Sequence, residues 1–173
     1  MELRFRAMGF EDEQLVLNAN KLLLEEGFQF AFQLDQAKSW KSYLDQVQEL
    51  ALGRNLKFDM VQASYFLVFD NNDELVGRVS IRHSLNKHLY NLGGHIGYCV
   101  LPEFRLRGYA TQILKWSIKF IKNIGVESIL VTCDEDNIGS KKVIQNCGGV
   151  LCKKLPVFEQ KDQKPKLRYW INN

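Results

Sequence analysis

Apolar and polar positions change period several times along the chain, and each change marks an element. Leu3, Phe5 and Ala7 alternate with Arg4 and Arg6, the period of a short half-exposed strand. Within residues 11–26, Leu15, Leu17, Leu22, Leu23 and Leu24 fall at helical spacing, and Gly27 is the stop. Phe28, Phe30 and Phe32 alternate briefly, either lining a cavity or simply packing. Asp35 offers a cap to a second helix with Trp40, Tyr43, Leu44, Val47, Leu50 and Ala51 on one face and Gly53 at its end. Residues 64–70 and 74–83 read as strands joined by the turn Asn71-Asn72-Asp73. A polar loop over 84–94 ends in two glycines, and a central strand occupies 93–101, its apolar run starting at Ile96. Pro102 stops it, because proline cannot donate to a ladder. Ile113, Leu114, Trp116, Ile118, Phe120 and Ile121 place a helix over 107–123, stopped at Gly125. A buried strand follows at 128–133, then a short helix capped by Asp136 or Asn137 and ending at Cys147 and Gly148. Strands at 150–158 and 167–171 close the chain, joined by a Lys/Gln/Asp turn around Pro165.

The first half of this order gives antiparallel hairpins, and the strand–helix–strand order of the second requires at least one parallel crossover. The expectation is an α/β (α+β) fold in one domain over residues 1–173, with a mixed, mostly antiparallel sheet of six to seven strands and helices on both faces. No internal repeat, low-complexity stretch or linker interrupts it. With 173 residues, 46% hydrophobic and 25% charged, the composition is that of a globular domain with a core of its own. No apolar run approaches the ~18 residues of a membrane span, so no membrane is expected as a partner. Met1-Glu2-Leu3-Arg4 lacks the layout of a signal peptide, and a cytoplasmic location is the default expectation. Cys99, Cys133, Cys147 and Cys152 show no Cys-x-x-Cys spacing and read as reduced packing residues, with no metal site implied. A net charge of +3 does not call for nucleic acid. Lys153, Lys154, Lys161, Lys164, Lys166 and Arg168 do concentrate charge near the end, broken by Glu159 and Asp162, as on a solvated hairpin.

The chemistry-bearing stretch is the turn from the central strand into its helix, Arg105-Leu106-Arg107-Gly108-Tyr109-Ala110-Thr111. The first amides of a helix have no internal partner and, with the helix dipole, form an anion site. Gly108 leaves room for a ligand to approach the backbone, and Arg105 and Arg107 add positive charge. A phosphate-bearing ligand fits such a turn. The spacing excludes a Gly-x-x-x-x-Gly-Lys-Ser/Thr loop and a Gly-x-Gly-x-x-Gly turn.

Val100, Pro102 and Glu103 followed by Arg105-Leu106-Arg107-Gly108-Tyr109-Ala110 resemble the acetyl-CoA loop of the GNAT acetyltransferase superfamily, Arg/Gln-x-x-Gly-x-Gly/Ala, entered from a strand. Downstream, the run from Cys133 through Asn137 to Ser140 resembles the exit of that family's fifth strand, where an Asn and a small residue three positions on touch the cofactor. Gly148-Gly149 stands where the family usually has Gly-Phe, and the likeness covers roughly residues 62–150. The resemblance implies an acetyl-CoA-dependent N-acetyltransferase acting by direct transfer on a small-molecule or peptide amine. It implies a pyrophosphate held by Arg105, Leu106, Arg107, Gly108, Tyr109, Ala110 and Thr111, and further cofactor contacts at Asn137 and Ser140. It also implies a bulged central strand whose freed amides near Cys99, Val100 and Leu101 bind the thioester arm. Acceptor contacts are expected over residues 28–60.

His95 is the candidate catalytic base, standing in His95-Ile96-Gly97-Tyr98 where such families often carry a glutamate. An unperturbed imidazole has a pKa of about 6.5, suited to accepting a proton directly or through water. The bland alternative is a histidine that only hydrogen-bonds at the strand start. One departure is plain: seven residues after Asn137, where the family often has a tyrosine as general acid, this chain has Ile144. Tyr98 and Tyr109 are the tyrosines left nearby. Two other classes stay open: a catalytically silent CoA-binding sensor or partner module, and a nucleic-acid-binding domain led by the basic terminal segment. The acceptor (small amine, antibiotic, peptide N-terminus or protein lysine) and the oligomeric state, a homodimer included, are not fixed by the sequence.

Overall fold

The computed structural model describes residues 2–155 and 165–172. The turn expected around Pro165 falls mostly outside them, as does the end of the strand expected at 150–158. The chain begins with β1 (Arg4–Arg6), then α1 (Glu13–Leu24). Arg6 makes a two-pronged ion pair with fully buried Asp12, 2.6 Å on each arm, and Asp12 also accepts from the Gly9 amide at 2.6 Å. That closes a 3-10 turn ahead of α1 and starts the helix at Glu13. The core stripe of α1 is Val16, Ala19 and Leu23. Of the five leucines at helical spacing only Leu23 goes inside, while Leu15, Leu17, Leu22 and Leu24 are exposed. The period was right but the stripe is narrower and smaller than the leucines suggest.

Asp35 sits in a separate 3-10 turn (Leu34–Gln36), entered through Gln33 at φ 60°. The cap of α2 (Trp40–Leu52) is instead Ser39, whose side chain accepts from the Ser42 amide at 3.1 Å, and Gly53 ends the helix at φ 68°. β2 (Ala63–Phe69) and β3 (Leu75–Arg82) form the expected hairpin, and β4 (Ile96–Val100) pairs antiparallel with β3. α3 (Tyr109–Asn123), β5 (Ile129–Asp134), α4 (Ile138–Asn146), β6 (Val150–Leu155) and β7 (Lys166–Ile171) complete the order. Helices cover both faces. On one, Trp116 and Phe120 of α3 meet Phe66 of β2 edge-on at 5.1 Å, and Phe5 of β1 stacks on Trp116 at 3.9 Å. On the other, α2 and the segment from Phe28 to Phe32 lie over β2 and β3, with the Tyr65 hydroxyl donating to the Phe30 carbonyl. No helix among the described residues is long and apolar enough to cross a membrane.

The strands do not form one continuous sheet. Four of them run in the order β1-β2-β3-β4 and three in the order β5-β7-β6, every pairing antiparallel among the described residues; β4 and β5, joined through α3, form no ladder, so the parallel crossover expected there yields no parallel pairing. β4 and β5 come together only at one end. There His95 N donates to Leu130 O at 2.7 Å, Leu130 N donates to His95 Nδ1 at 2.9 Å, and the Thr132 hydroxyl donates to Leu92 O at 2.7 Å. Gly94, at φ 66°, permits this approach, since a Cβ on it would lie 2.7 Å from Leu130 O.

Candidate functional site

The pairing parity of β4 decides what faces the opening. Arg82 N donates to His95 O at 2.8 Å and Leu101 N donates to Val76 O at 2.9 Å, bracketing the ladder with β3. In an antiparallel strand the backbone groups of alternate residues point to opposite sides. Gly97, Cys99 and Leu101 therefore turn theirs to β3, His95 sends its carbonyl to β3 but its amide to Leu130, and Ile96, Tyr98 and Val100 turn theirs to the gap toward β5. Of the three main-chain donors expected near Cys99, Val100 and Leu101, the Val100 amide faces the gap. The Leu101 amide is spent on β3, and Tyr98 takes its place in the set. The Cys99 thiol is buried beside Arg78, and burial pushes its pKa up.

At the open end of β4 the chain turns through a 3-10 segment (Pro102–Phe104) into α3. Leu106 at φ 62° and Gly108 at φ 81° both lie in the left-handed region, and Leu106 is fully exposed. Positive φ is routine for glycine and strained for leucine, so the loop shape is imposed by its surroundings. Gly108 is the N-cap of α3, and a Cβ there would meet nothing within 4 Å, so open space lies against its backbone. The first intrahelical bond runs from Gln112 N to Gly108 O at 3.3 Å, so the amides of Ala110 and Thr111 point out of the helix end. The guanidinium of Arg107 lies 5.5 Å over the Phe104 ring. Tyr109 is buried with its ring 6.3 Å from Phe104.

Arg105 does not reach outward. Its Nε donates to Val100 O at 3.1 Å, and its two Nη atoms donate to the Glu26 carboxylate at 3.1 and 2.6 Å. That hydrogen-bonded pair holds the Glu26 carboxyl below its usual range. Arg105 is thus a strut between β4 and the end of α1. Asn137 caps α4, its side chain accepting from Ser140 N at 2.9 Å, and the Ser140 hydroxyl lies 3.0 Å from that of Tyr98. Burial pushes the Tyr98 phenol up to about 12. Ile144 is fully buried and packs on Gly149, where a Cβ would come within 2.4 Å of its side chain.

His95 has the wrong surroundings for a base. Its Nδ1 lone pair accepts from Leu130 N, which leaves the ring proton on Nε2. Burial first, and the charge of Arg82 second, push its pKa down to about 4. A neutral imidazole with its lone pair in use cannot take a proton at neutral pH. The bland reading of the sequence, a histidine that hydrogen-bonds at the strand start, is the one the geometry favours.

A cavity of about 450 Å³ opens between α2 and the sheet. Its walls include Phe28, Phe32, Tyr43, Val47, Leu50 and Met60, and its floor includes Ser80 flanked by Arg78 and Arg82. Two of the three aromatics expected either to line a cavity or to pack do line it, while Phe30 is fully buried. Arg78 was missed in the sequence. Its Nε donates to Phe30 O at 3.0 Å, Nη1 to Gly97 O at 3.0 Å and Nη2 to Gln29 O at 3.1 Å. The signal was present, because Arg78, Ser80 and Arg82 alternate on a strand whose other face is wholly apolar.

The basic terminal segment does not present a cationic face in its described part. Lys166 is bonded to Asp134, and Arg168 is buried with its guanidinium 4.2 Å over the Tyr90 ring. Among the described residues no cluster of His, Cys, Asp or Glu is placed to hold a metal.

The sheet thus opens between its fourth and fifth strands, with the N-terminus of α3 at the mouth. The chain matches the acetyltransferase (GNAT) domain family over residues 2–150, and it belongs to that family, an acetyl-CoA-dependent acyltransferase. Solved structures agree in fold. Ribosomal-protein-S5-alanine acetyltransferase from Vibrio fischeri aligns with a TM-score of 0.74 at 21% identity, over 99% of this chain and 93% of that one. Spermidine N-acetyltransferase from Vibrio cholerae, in complex with CoA and spermine, aligns with a TM-score of 0.65 at 16% identity, over 98% and 94%. No curated protein matches the chain in sequence.

Proposed function

We propose that this protein moves the acetyl group of acetyl-CoA directly onto a primary amine, with the donor's arm in the gap between β4 and β5 and its pyrophosphate at the start of α3. The observation that carries this reading is the parity of β4, which aims the Tyr98 and Val100 amides into an opening that leads to the outward amides of α3. The residues fit the ligand: open space lies against Gly108, Arg107 makes no ion pair among the described residues, and the gap has unpaired ladder positions. When bound, acetyl-CoA supplies a thioester, whose carbonyl carbon is the electrophile.

The chain's own groups then divide the work. The amides of Gly108, Ala110 and Thr111, with the Arg107 guanidinium, hold negative charge. Arg105, tied to Glu26, keeps that loop in register with β4. The gap-facing amides are fixed donors, pre-oriented by the ladder behind them. Tyr98 keeps its proton across the neutral range and is paired with Ser140 beside α4, which supports it as the phenol that donates to the leaving thiolate where Ile144 stands in place of a tyrosine. His95 closes the narrow end as a neutral clamp. The acceptor amine gives its proton to water. An amine of pKa about 10.4 is about 0.04% neutral at pH 7, so the rate keeps rising above pH 8.

A thermal melt with acetyl-CoA tests the reading. Ligand at about 100 times its dissociation constant adds roughly 2.7 kcal/mol to stability, which shows as a clear rise in melting temperature. A folded sample whose melting temperature stays put at millimolar acetyl-CoA overturns it.

A further inference from the structure

The two arginines of the cavity floor are not equivalent. Arg78 is saturated by main-chain carbonyls, its guanidinium lying 5.0 Å over the Phe28 ring and 5.5 Å over the Tyr65 ring. Arg82 is half-buried at the cavity floor, and no hydrogen bond or ion pair engages its guanidinium among the described residues. A guanidinium at a cavity floor with no protein partner has its donors free for a ligand's carboxylate. Burial, and then the like charge of Arg78, push Arg82 down to about 10, so it still carries its charge at neutral pH.

Its position is next to the reacting edge. A Cβ on Gly97 would lie 2.8 Å from Arg82 Nη1 and 3.3 Å from the Ser80 hydroxyl, so the guanidinium rests against the backbone of β4 at Gly97. The next residue, Tyr98, turns its amide to the gap, one strand step of about 3.3 Å away. The cavity's charge is one-sided there. Among the described residues the one acid lining it is Asp59, which is exposed. The rest of the lining sets apolar Phe28, Phe32, Val47, Leu50 and Met60 beside polar Gln29, Ser64, Asn86 and His88.

We infer that the acceptor is an amino acid or close analogue, an amine with a carboxylate a few bonds away, its carboxylate seated on Arg82 and its apolar side chain between α2 and the sheet. This rests on the acetyl-transfer reading and names its substrate class. A carboxylate supplies the bonds that Arg82 lacks, in the two-pronged geometry that guanidinium favours. The short distance from Gly97 to the gap suits acid and amine on neighbouring carbons. A polyamine, cationic at each nitrogen, meets two like charges at this floor, with Asp59 the one acid among the described lining residues.

The test uses the full chain saturated with CoA, titrated calorimetrically with matched pairs: phenylalanine against phenethylamine and phenylalanine amide, leucine against isoamylamine, and spermidine. The acids are expected to bind about tenfold tighter or more than their decarboxylated or amidated partners. That preference is expected to fall to within about twofold in Arg82→Gln and to survive in part in Arg82→Lys. Thiol release from acetyl-CoA should rank the acceptors in the same order, with the Arg82→Gln loss appearing in KM. Because the guanidinium has no partner in the fold, Arg82→Gln should melt no lower than wild type. Equal or tighter binding of the amines, the amide or spermidine overturns the inference. So does a preference untouched by Arg82→Gln, or a lack of binding by both acids to protein that binds CoA. A chain that fails to bind CoA in the same calorimeter overturns the acetyl-transfer reading instead.

Discussion

Arg105 and Glu26, 79 positions apart in sequence, form a two-pronged ion pair with arms of 3.1 and 2.6 Å that fastens the α3 entry loop to the end of α1. Both side chains are nearly half exposed, so water screens the pair and its value lies in placement more than in stability. Glu26→Gln should cost less than about 1 kcal/mol of stability while weakening acetyl-CoA binding several-fold. Calorimetric affinity and melting temperature separate the two effects. Tighter acetyl-CoA binding in the variant would instead make Arg105 a phosphate ligand that Glu26 holds back.

Gly108 and Gly125 bracket α3 with the same backbone signature, φ 81° and 89°, and neither has an atom near the position of a Cβ. Alanine at either site should cost about 1 kcal/mol from the left-handed conformation alone. Gly108→Ala alone should weaken acetyl-CoA binding, because its methyl enters the space against the loop. Equal affinities in the two variants would move the phosphate site elsewhere.

His95 links stability to pH. Its folded pKa is depressed to about 4 from an ordinary value near 6.5. The unfolded chain therefore takes up the proton first as pH falls. The contribution of the neutral clamp is complete above about pH 6.5 and is lost progressively down to pH 4, a window worth roughly 3 kcal/mol. His95→Asn keeps an acceptor for Leu130 N without titrating, and should flatten this part of the denaturation profile between pH 7 and 4.5. For activity, wild type and the Asn variant should both show rates that rise through pH 8 with no inflection near 6.5. An inflection there that disappears in the variant would restore His95 as a base.

Tyr98→Phe removes the phenol and leaves the ring. Turnover should fall about 10²-fold, within the usual range for a positioned acid, with acetyl-CoA affinity nearly unchanged. Ser140→Ala should cost less, since it removes only the partner that orients the hydroxyl. Steady-state kinetics with one acceptor decides this, and a Phe variant at wild-type turnover removes Tyr98 from the reaction.

Pattern carried the sequence reading a long way, and the failures are local. The β2–β3 hairpin, the strand ahead of Pro102 and the α3 stripe follow from periods of 2 and 3.6 that the core enforces, and all are where they were expected. Asp35 failed as a cap because Gln33 adopts a left-handed conformation and diverts the chain into an extra turn, which no periodicity encodes. The Arg105–Glu26 strut was not legible either, since it joins a loop to a helix end far away in sequence. The break between β4 and β5 depends on parity along the β3 ladder, so Leu101 was grouped with Val100 although their amides face opposite ways. The clamp role proposed for His95 rests on one contact, the amide of Leu130, that spacing cannot supply.

The opening in the middle of the sheet has a mechanical meaning. It divides the strands into a half of four and a half of three, tied together by α3 and by the staple at His95. Each half has an interior edge with unfilled ladder positions. A ligand arm lying there would act as a strand does, bridging both edges and turning a jointed body into a stiff one. In the free protein the amide protons of Ile96, Tyr98 and Val100 should exchange with solvent faster than those of Gly97 and Cys99, which are one residue away but bonded to β3. Filling the gap should slow the first set and leave the second unchanged.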